Sequence, residues 1–255
     1  MKKLYFVYLL LIAISFFSCE NQQEVKDPYL SKTSLTLYVG NSESLSLYNC
    51  DDYISWSSDN KYIAEVSSNG LVTSNLAGET IVRANNEECK VVVKPMHTCF
   101  DDPYLNWNGD LSDVYSYMRK LGYTLKKQES TSLTYEGDNR VVLSYIYTAD
   151  DNFPNKLKGA GVAISNDYIE GVAEHLGDRY MLVDKDDDSF YFVDPEQKTV
   201  IMLTIYSVSY SMIAYVPAST NNIKKSETCL SSEIKQILIE QKQEFENLQT
   251  KILMK

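Results

Sequence analysis

An internal repeat between residues 98 and 219 constrains the fold of this chain more than any other feature of the sequence. The first copy combines an N-cap residue, apolar residues three and four positions apart and a closing glycine, namely Ser112, Val114, Tyr117, Met118, Leu121 and Gly122. The same order returns about 55 residues later, as Asp167, Ile169, Val172, Ala173, Leu176 and Gly177. This spacing predicts two amphipathic helices, each beginning one copy of a repeated unit.

Strand-like segments follow each predicted helix. They cover residues 123–127, 132–135, 141–147 and 161–164 after the first helix, and 180–183, 190–193, 200–206 and 211–216 after the second. Turn-forming residues separate them, as in 137–139 and 194–196. We therefore expect an α+β domain at 98–219, built from two repeats of a helix and antiparallel strands. The repeats would share one curved sheet, with both helices on one face and the other face either solvated or covered by a partner.

Residues 31–95 have a different pattern, with about seven short strands. Leu35, Leu37 and Val39 alternate with polar residues, and glycine-containing turns follow at 40–41 and 69–70. The pattern predicts a small, all-β antiparallel sandwich.

Five segments of this region, in order, resemble the bacterial immunoglobulin-like domain, group 2. They are Leu-Tyr-Val-Gly (37–40), Trp-Ser-Ser-Asp-Asn (56–60), Ile-Ala-Glu-Val-Ser-Ser-Asn-Gly-Leu-Val-Thr (63–73), Ala-Gly-Glu-Thr-Ile-Val-Arg-Ala (77–84) and Val-Val-Val (91–93). The resemblance implies an immunoglobulin-like β-sandwich of the kind found in adhesins and surface proteins, with Trp56 filling the core between the sheets. It implies no particular ligand, because such domains often act as spacers.

The first nineteen residues have the order of a secretory signal. Lys2 and Lys3 precede an apolar run at 4–17, which ends at Ser18 and Cys19. The run is short for a membrane span, although an uncleaved anchor helix is the alternative. Residues 15–19 resemble a lipobox of the Bacteroides type, which implies a signal peptide at 1–18, palmitate or a similar lipid on Cys19 and a tether at 19–30. We expect a lipoprotein of the bacterial outer membrane, on either its surface or its periplasmic side.

The charge and the cysteines narrow the possible partners. A formal net charge of −11 with no basic run disfavours nucleic acid as a partner. In an exported protein, the four remaining cysteines predict disulfides, for which Cys50–Cys89 and Cys99–Cys229 are the favoured pairs. Four unpaired thiols are the alternative.

Tyrosine is abundant on the predicted strands of the second domain, at Tyr135, Tyr145, Tyr147, Tyr191, Tyr206, Tyr210 and Tyr215. Aromatic rings on an open sheet face suit stacking against a glycan or a protein. Tyr145, Tyr147 and Tyr206 are therefore candidates for a ligand surface. The alternative is that tyrosine simply favours strands.

The sequence contains no recognised catalytic motif. The aspartates at 184–188 have a spacing that resembles a calcium loop, but Ser189 and Pro195 stand where its glycine and glutamate would be. A solvated turn without a metal is the better interpretation. His97 lies in the linker between the two domains. His175 lies near the end of the second predicted helix, where a positive charge interacts favourably with the helix dipole. We expect neither an enzyme nor a bound cofactor, and a hydrolase with unrecognised carboxylates is the least favoured function.

The last segment, 220–255, is predicted to be an amphipathic helix. Its apolar stripe consists of Ile234, Leu238, Phe245, Leu248 and Ile252. The helix could dock on the second domain or self-associate as a short coiled coil. These features favour an envelope-anchored binding or adhesion protein, whose ligand surface is the open sheet face. The alternative is a structural or assembly factor that holds its partner with the C-terminal helix.

Overall fold

The computed structural model describes residues 27–50, 53–138, 140–150 and 156–218. These residues are mostly in β-strands with two α-helices, so the prediction of a β-rich fold is confirmed. The predicted signal peptide at 1–18, Cys19 and the C-terminal segment at 220–255 lie outside the described residues. Within the described part of the chain, neither helix has the length and apolar character needed to cross a membrane.

The first module contains nine strands: β1 (Tyr29–Leu30), β2 (Ser34–Tyr38), β3 (Ser42–Ser44), β4 (Leu47–Tyr48), β5 (Trp56–Ser58), β6 (Ala64–Val66), β7 (Leu71–Ser74), β8 (Gly78–Ala84) and β9 (Glu87–Lys94). One sheet has the order β2-β9-β8-β5 and another has the order β3-β7-β6. Strands β1 and β4 form a separate pair. Strand β2 runs parallel to β9, whereas the other pairs are antiparallel.

One apolar core lies between these sheets. Buried side chains alternate with exposed ones along β9, where Cys89, Val91 and Val93 point inward. Ala64 and Val72 contribute to the same core from the three-stranded sheet. The alternation is what a sheet with one buried face requires, so the two sheets pack face to face.

The turn before β7 requires glycine. Gly70 has a φ of +81°, which L-residues rarely adopt. A Cβ on Gly70 would lie 2.4 Å from the carbonyl oxygen of Leu45 and 2.8 Å from the ring of Trp56. This close approach allows the half-buried Trp56 to pack over the turn.

The second module consists of two helices and eight strands: α1 (Leu111–Leu121), β10 (Leu125–Glu129), β11 (Ser132–Glu136), β12 (Val142–Ala149), β13 (Leu157–Ser165), α2 (Ile169–Gly177), β14 (Met181–Lys185), β15 (Ser189–Val193), β16 (Thr199–Ile205) and β17 (Tyr210–Pro217). All eight strands form one antiparallel sheet in the order β10-β11-β12-β13-β17-β16-β15-β14. Each helix is thus followed by four strands, and β13 pairs with β17 at the centre of the sheet.

The helix ends differ from the sequence prediction. The N-cap of α1 is Asp110, not Ser112, because Asp110 and Asp113 form a reciprocal capping box. Gly122 ends α1 in the left-handed conformation, as predicted. Helix α2 follows a short 3₁₀ turn at Asn166–Tyr168, so Asp167 is not its N-cap, and Gly177 is its last residue rather than a stop outside it.

The eight-stranded sheet has two differently packed sides. On the helix side, α1 and α2 cover a large core that includes Val114, Met118, Val172, Leu176, Tyr135, Ile201, Ile213 and Tyr215. On the far side, a second cluster contains Val193, Val200, Met202, Ala214, Val216 and Ala218. Successive strand residues point to opposite sides, so the two clusters draw on alternate residues of the same strands.

The first module contacts one end of this sheet, which we call the turn end because it carries the turn at 194–198. The backbone N–H of Ala77 donates to the carbonyl of Asp178 at 2.7 Å. The Asn60 side chain donates to the carbonyl of Pro195 at 2.9 Å. The opposite, loop end of the sheet carries residues 137–141, 165–168, 186–188 and 206–209.

Replacing Gly70 with alanine should lower the free energy of unfolding by about 2–4 kcal/mol, because it combines an unfavourable φ with a backbone clash. Gly40 is the control, since its φ is also positive, at +83°, but no atom lies within 4 Å of the place that an alanine Cβ would take. Gly40→Ala should therefore lose only about 1–2 kcal/mol. Urea unfolding measures both, and equal losses would contradict the role of the clash.

Candidate functional site

The structure places two of the three predicted ligand-surface tyrosines in the core. Tyr145 is 1% exposed and Tyr147 is fully buried, both on the helix side. The Tyr145 hydroxyl donates to the carbonyl of Asp101 at 2.9 Å, and the Tyr147 hydroxyl accepts from the N–H of Tyr104 at 3.1 Å. The prediction that they line an open face is wrong, because the linker and α1 pack over them.

The far side of the sheet is not an open face either. Ala214 is fully buried, and Val200, Val216 and Met202 are between 1% and 5% exposed. These side chains are aliphatic and shielded from water, so the far side does not present a stripe of exposed aromatic rings.

Tyr206, the third candidate, lies at the loop end. It begins the β16–β17 loop and is half-buried, as is Tyr210 at the other end of that loop. Their rings are nearly parallel, with an interplanar angle of 7° and centroids 6.0 Å apart. Val208, which lies between them in sequence, is 97% exposed, so the loop presents two tyrosines and an aliphatic side chain within five residues.

Asn166 is hydrogen-bonded to this loop at three points. Its side-chain Nδ2 donates to the carbonyl of Ser207 at 2.7 Å, and its Oδ1 accepts from the hydroxyl of Ser211 at 2.6 Å. Its backbone N–H donates to the carbonyl of Ser209 at 3.0 Å. The Ser207 hydroxyl also accepts from the N–H groups of Ser209 and Tyr210, each at 3.2 Å. The backbone on both sides of the exposed Val208 is therefore hydrogen-bonded to Asn166 or within the loop.

The carboxylate-rich β14–β15 turn lies on one side of the aromatic loop. The N–H of Ile205 donates to the carbonyl of Asp188 at 2.8 Å, which joins the β14–β15 turn to the β16–β17 loop. Asp186 is used internally, since it accepts from the N–H of Ser189 at 2.8 Å and from the hydroxyl of Tyr191 at 2.9 Å. Burial, and then this hydrogen bond, raise the pKa of Tyr191 to about 12. Asp187 and the side chain of Asp188 are exposed.

The loop end can bind a ligand on the outer surface of its tyrosine rings. A third ring between the two tyrosines would need a centroid separation of about 7 Å, so a ligand would contact their outer surfaces and Val208. The nearby carboxylates can accept hydrogen bonds from hydroxyl or ammonium groups. Over the residues that the structure describes, no group of three or more histidine, cysteine, aspartate or glutamate side chains is placed to hold a metal ion.

A second polar cluster lies where the linker meets α2. Asp102 accepts from His175 Nε2 at 3.0 Å and from Arg179 Nε at 3.1 Å. His175 Nδ1 accepts from the N–H of Cys99 at 3.3 Å, and its ring stacks on Phe100 at 4.0 Å. Each ring nitrogen of His175 thus has one hydrogen-bond partner.

The other donors of Arg179 bind both the linker and α2. They donate to the carbonyl of His97 at 2.8 Å and the hydroxyl of Thr98 at 3.1 Å in the linker, and to the carbonyl of His175 at 3.0 Å in α2. Burial acts to raise the pKa of Asp102, but the hydrogen bond from His175 and the charge of Arg179 outweigh it, so the pKa is lower than usual.

Cys99, His175 and Asp102 have the composition of a catalytic nucleophile, base and acid, but they are not arranged to act as one. Both ring nitrogens of His175 are engaged with Asp102 and a backbone N–H, and the ring is fully buried. Burial raises the pKa of the Cys99 thiol, whereas a reactive cysteine needs a lowered pKa. These residues therefore fasten the linker to α2. His175 was expected to interact with the helix dipole, whereas in the structure its ring binds the linker.

The predicted disulfide within the first module is not formed. Cys89 is a free, buried thiol in the core, whereas the sulfur of Cys50 accepts from Asn85 Nδ2 at 3.6 Å at the edge of the module. Cys99 is a free, half-buried thiol beside Gly171. Its predicted partner, Cys229, lies outside the described residues.

Two important residues were missed by the sequence analysis. Asp102 was not singled out, because its partners His175 and Arg179 lie more than seventy positions away in the sequence. Asn166 gave no signal, because its hydrogen bonds reach residues more than forty positions away.

Comparisons with known proteins do not identify this chain. No family model matches it, and no curated protein matches it significantly. The resemblance of residues 31–95 to immunoglobulin-like domains therefore remains a prediction.

Replacing Asp102 with asparagine should lower the free energy of unfolding by about 1–3 kcal/mol at neutral pH, because Arg179 and His175 lose a charged acceptor. The pKa of Asp102 is lower in the folded than in the unfolded protein, so its stabilisation is present above the unfolded pKa and is lost as the pH falls through the folded pKa.

The difference between Asp102→Asn and the wild type should therefore shrink in acid. Urea unfolding between about pH 7 and about pH 3 measures it. The exposed Asp187→Asn is the control and should stay within about 0.5 kcal/mol of the wild type. A difference that grew on acidification would contradict this account.

Proposed function

We propose that the chain is a lipid-anchored protein of the bacterial envelope that binds a ligand at the loop end of its eight-stranded sheet. The observation that carries the proposal is the loop itself, which holds the rings of Tyr206 and Tyr210 stacked on one another and leaves Val208, between them in sequence, 97% exposed. An apolar side chain kept in water by an ordered loop loses solvent contact favourably when a ligand covers it. Because Asn166 already orders the loop, little entropy is lost on binding.

The chemistry of the loop end favours a neutral glycan. Tyrosine rings stack on the apolar faces of sugars, and exposed carboxylates such as Asp187 accept hydrogen bonds from sugar hydroxyls. The acidity of the turn at 184–188 and the net charge of −11 disfavour sulfated or uronic polysaccharides through like-charge repulsion.

The order of the modules supports the same function. The first module, proposed here as an immunoglobulin-like spacer, contacts the turn end through Ala77 and Asn60. The loop end lies at the other end of strands of seven to nine residues, roughly 23–30 Å away. A lipid on Cys19 would thus attach the chain at the side farther from the binding loop, so the loop faces away from the membrane.

The alternative, an assembly factor that uses the C-terminal helix, depends on residues 220–255, which lie outside the described residues. The proposed binding site is independent of that helix. The Asp102 cluster supports no hydrolase, because its polar atoms already bind the linker.

A glycan array probed with the purified protein should give binding to neutral polysaccharides and little to sulfated ones. Tyr206→Ala and Val208→Asp should each weaken the affinity about thirtyfold, since central contacts of such surfaces contribute about 2 kcal/mol each. Asn166→Ala should weaken it less, by disordering the loop.

The matched control is Tyr48→Ala, which removes an exposed tyrosine of the first module whose ring lies 5.2 Å from that of Tyr29. It should leave the affinity unchanged. Equal losses for Tyr48→Ala and Tyr206→Ala would place binding elsewhere. If the protein bound an envelope protein but no glycan, the proposed ligand class would be wrong and the proposed site would stand.

Replacing Cys19 with serine should abolish incorporation of labelled palmitate and release the protein from the membrane fraction, because the proposed lipid is attached to that sulfur. Cys50→Ser is the control and should keep the label. Retention of the label by Cys19→Ser would show that the anchor is a different residue.

A further inference from the structure

Midway along its strands, the far side of the eight-stranded sheet has a depression, which we call the groove. Across its centre, Ile146 pairs with Gly161, Gly161 with Ala214, and Ala214 with Met202. Two small residues therefore lie between two large ones on neighbouring strands. Three inter-strand spacings separate Ile146 from Met202, or about 14 Å, and an α-helix is about 10–12 Å wide. The groove fits one helix.

The burial of this groove requires a cover. Gly161 and Ala214 are buried, and Met202 is 5% exposed. Every described member of the far-side cluster comes from β14 to β17 or from Ala218 directly after them. Since a single sheet cannot shield its own outer face from water, another segment of the chain has to lie on it.

We propose that the C-terminal helix of the same chain occupies this groove. The chain leaves β17 at Ala218, which is itself part of the far-side cluster, and 37 residues follow, at 219–255. The apolar stripe from Ile234 to Ile252 would be about 27 Å long as a helix. The nine residues of β13 span about 30 Å, so the lengths agree. A covalently attached helix also has a far higher local concentration than any free partner.

The helix is a permanent third layer of the second module in this arrangement, and the groove is not a ligand site. The two sides of the sheet are then both covered by helices, and the loop end remains the exposed part of the module.

Photo-crosslinking in the full-length protein tests the position of the helix. Phe245→p-benzoylphenylalanine places a reactive ketone in the middle of the apolar stripe. Irradiation should give crosslinks within one chain, at monomer mass, to the β16 or β17 peptides that contain Met202 and Met212. Crosslinks between two chains, crosslinks to helix-side peptides or the absence of crosslinks would each overturn the proposal.

Thermal unfolding gives an independent result. Phe245→Glu should lower Tm by about 4 °C or more, because it puts a charge in the groove. Gln243→Glu makes a similar substitution on the opposite face of the helix and should leave Tm unchanged. Equal Tm values for the two variants would overturn the proposal.

Discussion

The pairing of β13 with β17 is the interaction on which the second module depends. Six residue pairs, from Ala160 and Tyr215 to Ser165 and Tyr210, join the two four-stranded halves. Without this ladder, each half would expose an unpaired strand edge. Because the pairing is antiparallel and central, it also brings the 165–168 and 206–209 segments together, so the same hydrogen bonds that build the core assemble the loop end.

Local patterns predicted the strands of this module well. The segment 132–135 lies within β11 (Ser132–Glu136), and 200–206 overlaps β16 (Thr199–Ile205). Alternation of side chains is a property of each strand alone and survives folding. The same property could not place Tyr145 and Tyr147, because period-two alternation shows that two residues share a side of the sheet but not which side. That choice is made by α1, α2 and the linker, which are distant in sequence.

The polar contacts were the least predictable part of the structure. Asp102 and His175 are 73 residues apart and Asn166 and Ser211 are 45 apart, so no local spacing connects them. The cap of α1 was misplaced by two residues, since Asp110 competes with Ser112 for the same backbone N–H groups and its carboxylate also suits the positive helix terminus. In each case, the determining interaction joins side chains that only the fold or the exact helix start brings together.

The attachment of the linker has a mechanical consequence. In the proposed orientation, a pull between a membrane anchor and a ligand on Val208 enters the second module at 97–102 and leaves it at the loop end. The load then runs along the strands, so neighbouring strands are sheared and their hydrogen bonds share the force, rather than being peeled apart one after another. At the entry point, Arg179 and His175 hold the linker through five hydrogen bonds to Asp102, His97, Thr98 and Cys99. The module is thus connected as a tension-bearing element.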